Sequence, residues 1–501
     1  MNVRFISLQR LANRPALCAI LVAALSFILN VLIALHNGIA QPRIHDEFSY
    51  LLAADTFAHG RLTNPTHPLW RFFQTFHVLQ RPTYMSKYPP GQGLMLAMGK
   101  IVADEPIVGV WIGSAILCAA ALWMLSGFLP KTWALAGAIL LAVHPLLATW
   151  SQTYWGGTVA AIGGAAVLGA WARLTVKPRM MDGAILGIGL VILAAGRPYE
   201  GAAFALPIVV SLLIRPRPAL LAAVAMTLLG AGWIGYYNYR ITNHPLELPY
   251  FVYERQYAVA PPFLWQSLRP IPSLDVPEML EYATQIEMPH FLAQRSVSGF
   301  ARFACEKLIS LIRAAVSPWI IGLSIVFLPM ALRSQRRLWM PLVATGAVLA
   351  ATLMSNWTRP QYVAAAMPAV LLLVMAGFWW MAQRAPTAAA AVTFTAIIWG
   401  IFLSFATTAP AAEHFQRGDI QAQLSGIDGQ HLVLVHYLPG HRLDDEYVYN
   451  DADIDGSKIA WAHDMGEKDD RALLDYFKRR TVWRLDVDAN SARIQRYTPA
   501  H

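Results

Sequence analysis

The sequence predicts an α-helical polytopic membrane protein of about 11 transmembrane helices, completed by a small C-terminal extracytoplasmic α/β domain. Three observations carry that expectation. Of 501 residues, 56% are hydrophobic and only 14% charged, with a mean hydropathy of +0.42; this is too apolar for a water-soluble globule. The apolar residues recur in blocks of roughly 15–22, long enough to cross about 30 Å of hydrocarbon. After Thr408 the composition switches: residues 409–501 carry 16 Asp and Glu against 11 Lys and Arg, whereas residues 1–408 carry 14 against 28. The expected division is therefore 1–408 for the membrane domain and 409–501 for the appendage.

The first block, 15–35, follows Arg4, Arg10 and Arg14. Gly38-Ile39-Ala40 offers small residues for cleavage, but the block is too long for a signal-peptide core and reads as an uncleaved span. Further blocks lie near 106–129, 132–149, 156–172, 183–196, 201–214, 219–237, 314–332, 338–354, 361–382 and 388–407. Gly196-Arg197-Pro198-Tyr199-Glu200 divides 183–214 into two short spans. With that division, Lys131, Arg173, Lys177, Arg179, Arg215, Arg217, Arg333, Arg336, Arg337 and Arg384 fall in loops on one alternating side. The N-terminus shares that side, which the positive-inside rule makes cytoplasmic. The C-terminal domain is then outside, as in a bacterial-type inner (plasma) membrane protein. Seventeen Trp and 18 Tyr, many near block ends, suit anchoring at the lipid–water boundary.

Two long loops, 37–105 and 238–313, lie on the external side. The second holds an amphipathic stretch, 291–313, expected on the membrane surface. In the appendage, 431–438, 458–462 and 481–487 read as strands and 469–480 as an amphipathic helix. There is no internal repeat. Cys18, Cys118 and Cys305 lie in or beside apolar blocks and read as small buried hydrophobes. The basic excess of residues 1–408 is topological, so no nucleic-acid partner is expected. No P-loop, dinucleotide fingerprint or zinc-protease motif appears.

Thirteen of the 14 acids before residue 409 fall outside, all but Asp182, which suggests work done on that face. Asp46-Glu47 lies about ten residues beyond the first span. A carboxylate there can serve as a general base or open a helix over 48–59 and complement its dipole. Lys87 and Tyr88 precede Pro89-Pro90, which hold the segment extended and suit a cation to a phosphate; a solvated loop lysine is the plain alternative. Arg197 and Glu200, and Arg359 and Tyr362, sit in short external turns. Arginine gains nothing topological there, so each either binds an anion or caps helix carbonyls. The segment 450–456 imitates the start of an EF-hand loop, but Ala462 stands where a bidentate Glu is required, so it reads as a turn. Tyr154-Trp155-Gly156-Gly157 with Gly163-Gly164 reads as small-residue helix packing.

The acidic pair after the first span, Lys87-Tyr88-Pro89-Pro90, and Arg359…Tyr362…Pro368 entering a late span resemble the GT-C superfamily of membrane glycosyltransferases. The branch most similar is that of the protein O-mannosyltransferases and lipid A aminoarabinose transferases. The resemblance implies transfer of a sugar from a polyprenyl-phosphate donor to an acceptor hydroxyl, with inversion. Asp46 would be the base and Glu47 its neighbour or substitute; Lys87, Arg197 and Arg359 would hold the donor phosphate, with Tyr88, Glu200 and Tyr362 beside them. The acceptor is a glycan, lipid or protein, and membrane lipids are partners. No cofactor is assigned, and a divalent metal is left open. Some superfamily members need a divalent metal held by loop carboxylates, and no such ligand set is evident here. Relatives often have adjacent Arg-Tyr, whereas Pro360-Gln361 separates Arg359 from Tyr362. A transporter or flippase for a lipid-linked or anionic substrate and a glycan ligase are the alternatives.

Overall fold

The structure, a computed structural model, describes residues 9–214, 217–315, 318–408 and 416–497; Arg4, Arg215 and the junction following Thr408 lie outside them. Among the described residues, five helices are long and apolar enough to cross a membrane: Pro15–Asn37, Pro106–Leu125, Leu220–Thr242, Pro360–Ala382 and Pro386–Thr407. These mark an integral membrane protein. A further candidate, Lys131–Ala142 followed by Pro145–Ser151, is bent by 50°. Pro145 cannot continue the preceding helix, and the His144 ring caps the new one by accepting from Leu146 N at 3.1 Å. Thr158–Leu174, Met180–Gly196 and Pro198–Leu213 are apolar but only 16–17 residues long. The expected break at Gly196-Arg197-Pro198 is present, because Pro198 opens the second helix where its missing N–H costs nothing.

The bundle packs through small residues. A Cβ on Gly164 would lie 1.9 Å from the Ala365 carbonyl oxygen, and one on Gly163 2.9 Å from Leu193 Cγ. This is the packing expected of Gly163-Gly164. Gly156 and Gly157 do not join it: they turn the chain at φ +92° and +134°, a region side chains disfavour.

Cations gather at one end of the bundle. Arg173 donates to Trp123 O (2.8 Å) and Arg337 to Gly127 O (3.3 Å) and Ala172 O. Arg217 donates to Leu174 O, and Lys131 reaches Asn13 Oδ1 at 3.2 Å. The three arginines satisfy carbonyls left open at and just beyond helix ends. The opposite end holds Trp155, just before Thr158–Leu174, and the ends of the two long loops.

Past residue 416 the chain forms four strands, β1 (His431–Tyr437), β2 (Ile459–His463), β3 (Thr481–Val487) and β4 (Ala492–Arg496), in one sheet of order β2-β1-β3-β4. Strand β1 pairs parallel to β2 and β3, and β3 pairs antiparallel to β4. The helix expected at 469–480 is Glu467–Tyr476. The strand Ala492–Arg496 and the helix Arg417–Ser425 were not evident in the sequence. In 450–456, Asp453 accepts from Gly456 N at 3.0 Å, a turn. The unit packs on the first loop: Phe48 stacks on Tyr449 with centroids 4.2 Å apart, and Asp55 accepts from Ala452 N at 2.8 Å. Cys18 and Cys118 are buried as expected, but Cys305 is exposed. It lies on Val297–Ala315, whose Lys307 donates to Ser355 O at 2.6 Å.

The contact at Gly164 yields a stability prediction. Gly164→Ala should destabilise the protein by about 1–3 kcal/mol through overpacking. Gly346→Ala, where an added Cβ meets nothing within 4 Å, should be neutral or slightly stabilising. Thermal unfolding of both variants in detergent checks this; equal stability would contradict the close approach.

Candidate active site

The helix His45–Ala58 builds one wall of the site. Glu47 is buried at 4% exposure and accepts from Arg43 N (2.9 Å) and Ile44 N (3.4 Å) through one oxygen. Its other oxygen accepts from Tyr154 N at 2.9 Å. These bonds cap the helix, as half of a capping box does. Burial pushes its pKa up while the backbone donors oppose the rise. Glu47 therefore closes the helix start and, unlike its neighbour, does not border the cavity described next. That is a correction to its expected place beside the base: consecutive helical residues point about 100° apart.

Asp46 points into a cavity of about 520 Å³. The same cavity is bordered by Lys87, Tyr88, Arg197, Glu200, Arg359 and Tyr362, so seven of the eight residues singled out from sequence meet there. Tyr88 donates its hydroxyl to Asp46 Oδ1, and burial with the nearby Asp46 charge keeps that phenol protonated. Lys87 is not in a solvated loop. It is 4% exposed, pairs with Glu254 Oε1 at 3.2 Å and lies 4.6 and 4.4 Å from the Tyr250 and Tyr253 rings. Glu254 also pairs with Arg269 at 3.2 Å, so this triad retains one net positive charge.

Arg197 and Arg359 differ. Among the described residues neither has a carboxylate within ion-pair distance or a bond to a helix carbonyl, so capping does not account for them. The Arg197 guanidinium lies 4.4 Å from the Tyr362 ring and that of Arg359 5.6 Å from the Trp155 ring. Aromatic faces hold guanidinium groups without neutralising them. Both cations therefore face the cavity with charge to offer an anion.

Several bordering residues were not foreseen. Glu254 and Glu287 come from loop 238–313, where only an excess of acids was noticeable. Glu287 ends the π-helical turn Tyr282–Glu287; its carboxyl is raised by burial first and then by Glu254. Asp444 and Asp445 come from the C-terminal unit. His77, at 3.9 Å from Asp46 Oδ2, had no local signal. Among the described residues no three or more His, Cys, Asp or Glu side chains are grouped to hold a metal ion. Asp46 has a tyrosine and a histidine as neighbours, which does not fit a carboxylate cage for a hard divalent cation.

No family model and no curated protein matches the sequence. Solved structures are similar in fold. ArnT from Cupriavidus metallidurans in the apo state aligns at a TM-score of 0.56 and 11% identity, over 93% of this chain and 92% of that one. The same protein bound to undecaprenyl phosphate aligns at 0.54, with the same identity and coverage. The Archaeoglobus fulgidus oligosaccharyltransferase tethered with an acceptor peptide aligns at 0.51 and 12% identity over 84% of this chain. This chain spans 61% of that enzyme's length. The chain therefore shares its fold with these solved structures.

A pH effect follows from His45, whose ring stacks on Phe76 with centroids 4.1 Å apart. Burial lowers its pKa to about 4, against about 6.5 in an unfolded chain. Between these values the unfolded state binds more protons, so this contribution to stability is full above pH 6.5 and lost as pH falls towards 4. His45→Phe should shrink the difference in melting temperature between pH 7 and pH 4.5. A variant whose stability falls with pH as steeply as the wild type rules His45 out as the source.

Proposed function

We propose that this chain is an inverting glycosyltransferase that moves a sugar from a polyprenyl-phosphate donor to an acceptor hydroxyl at the extracytoplasmic membrane face. The observation that carries this reading is the meeting of one carboxylate, Asp46, with two arginines outside any salt bridge, Arg197 and Arg359, in one cavity at one end of an apolar bundle. The GT-C fold supports it, as does the structural neighbour ArnT with undecaprenyl phosphate. A lipid-carried phosphate keeps its tail in hydrocarbon while its head meets cations at the interface.

The chemistry follows from these charges. Asp46 accepts the acceptor's hydroxyl proton as that oxygen attacks the anomeric carbon from the face opposite the phosphate. The bond from the anomeric carbon to the phosphate oxygen breaks, and its electron pair stays with the phosphate. Negative charge grows there, so Arg197 and Arg359 favour the transition state over the bound donor. The Tyr362 ring, 4.4 Å from the Arg197 guanidinium, holds it in place. Lys87 adds charge that Glu254 and Arg269 hold in position. Glu200, at the start of Pro198–Leu213, borders the same space and suits the sugar hydroxyls.

The proposed topology has about eleven spans within residues 1–408, including the short helices, with the N-terminus cytoplasmic in a bacterial-type inner membrane. The cluster of Arg173, Arg217 and Arg337 then faces the cytoplasm, in keeping with the positive-inside rule. Loops 37–105 and 238–313 and residues 409–501 stand outside. The acceptor is a glycan, lipid or protein.

Asp46→Asn should lower transfer by about 10²–10⁴-fold, the usual contribution of a positioned base, while undecaprenyl phosphate still binds. Arg197→Ala and Arg359→Ala should each weaken that binding by about 10–100-fold, as loss of a charge-assisted hydrogen bond does. Comparing surface glycans and glycolipids with and without the protein identifies the product. Wild-type turnover by Asp46→Asn would remove the base assignment, and unchanged affinity in both arginine variants would remove the phosphate site.

A further inference from the structure

Asp46 has a neighbour at each carboxylate oxygen. Tyr88 donates to Oδ1, and His77 Nε2 lies 3.9 Å from Oδ2. That separation is long for a hydrogen bond, but catalytic contacts are often loose before substrate enters and tighten afterwards. The tautomer of His77 follows from its surroundings. Its Nδ1 is buried without a hydrogen-bond partner among the described residues, whereas Nε2 faces a carboxylate, which can only accept. The proton therefore belongs on Nε2.

The backbone at His77 is unusual too. It is a non-glycine residue at φ 64°, a region that side chains enter uncommonly and His more often than most. Two bonds to its carbonyl keep it there: Ser49 Oγ donates at 2.7 Å and Lys87 N at 3.1 Å. Ser49 lies on the same helix as Asp46, one turn on, so imidazole and carboxylate are fixed to one frame. A non-glycine residue kept at such a conformation by its surroundings marks a place where the side chain's direction matters.

We propose that His77 and Tyr88 are positioning residues for Asp46, holding its carboxylate so that Oδ2 meets the acceptor hydroxyl. This rests on the reading of Asp46 as base and extends it to a residue no sequence motif indicated. A neutral imidazole suits the task. An imidazolium at that distance would stabilise the carboxylate by direct charge and make it a weaker base. Burial first, with the Lys87 charge adding to it, keeps His77 neutral. Tyr88, given a place beside the donor by the resemblance, thus acts on the base instead.

The test uses the full-length protein in nanodiscs. Turnover is read as release of undecaprenyl phosphate from a panel of synthetic undecaprenyl-phosphate hexoses and pentoses, with cell-envelope extract as acceptor. His77→Gly relieves the backbone and removes the ring; Tyr88→Phe removes only the hydroxyl. Both should lower kcat about 10–100-fold with little change in donor KM or in undecaprenyl phosphate affinity. Added imidazole should restore turnover to His77→Gly and not to Tyr88→Phe. His77→Asn, which tolerates the same backbone and presents an N–H, should keep most of the wild-type kcat. Normal kcat in His77→Gly, a loss that imidazole does not relieve, or an effect on KM alone overturns the proposal. Asp46→Asn run in parallel separates the two claims: if it turns over normally the base reading itself fails, and if it is inactive while His77→Gly is not, only the positioning role fails.

Discussion

The site depends on a carboxylate that does not enter it. Glu47 ties the start of His45–Ala58 to Tyr154 N on one side and to Arg43 and Ile44 on the other. Removing a charged group from water is unfavourable, and three backbone donors offset that cost by giving Glu47 the partners water would supply. The result is a helix whose start cannot rotate without losing those bonds. Asp46, one residue earlier, is thereby directed at the cavity. Ordering of the pair matters: with the two acids exchanged, the longer side chain would face the cavity and the shorter would fall short of the Tyr154 loop.

Compensation of charge distinguishes the two ends of the bundle. At the end holding Arg173, Arg217 and Arg337, the guanidinium groups are taken up by helix carbonyls. At the cavity, Arg197 and Arg359 lie against aromatic rings, which leave the charge available. The C-terminal unit closes this second end. Phe48 stacked on Tyr449 and Asp55 bridging Lys100 (2.6 Å) and Ala452 N (2.8 Å) join it to the same helix that bears Asp46. The scaffold and the chemistry therefore share one element.

Much of this was legible in the sequence, and what was not has a common cause. Length and hydropathy identify Pro15–Asn37 and Pro386–Thr407, and Gly196-Arg197-Pro198 announces its own break. Arg197 and Arg359 stood out because topology gave them no purpose in external turns. Local chemistry also indicated a helix opened by Asp46-Glu47, though not which acid would cap and which would face the cavity, since that depends on Tyr154 over a hundred residues on. The bend at Pro145 was missed because the hydropathy of 132–149 is continuous across it. Glu254, Glu287, Asp444 and His77 were invisible for the same reason: each acquires meaning only from a partner distant in sequence. For Lys87 the sequence leaves a phosphate-binding cation and a solvated loop lysine both open; Glu254, 167 residues away, is what removes it from solvent.

The most direct measurement is the structure of the full-length protein in a lipid bilayer with undecaprenyl phosphate bound. The account predicts the phosphate between Arg197 and Arg359, within reach of Lys87, with Asp46 across a gap wide enough for one sugar ring. Phosphate found instead among Arg173, Arg217 and Arg337, or a lipid that leaves the Asp46 cavity empty, would contradict it.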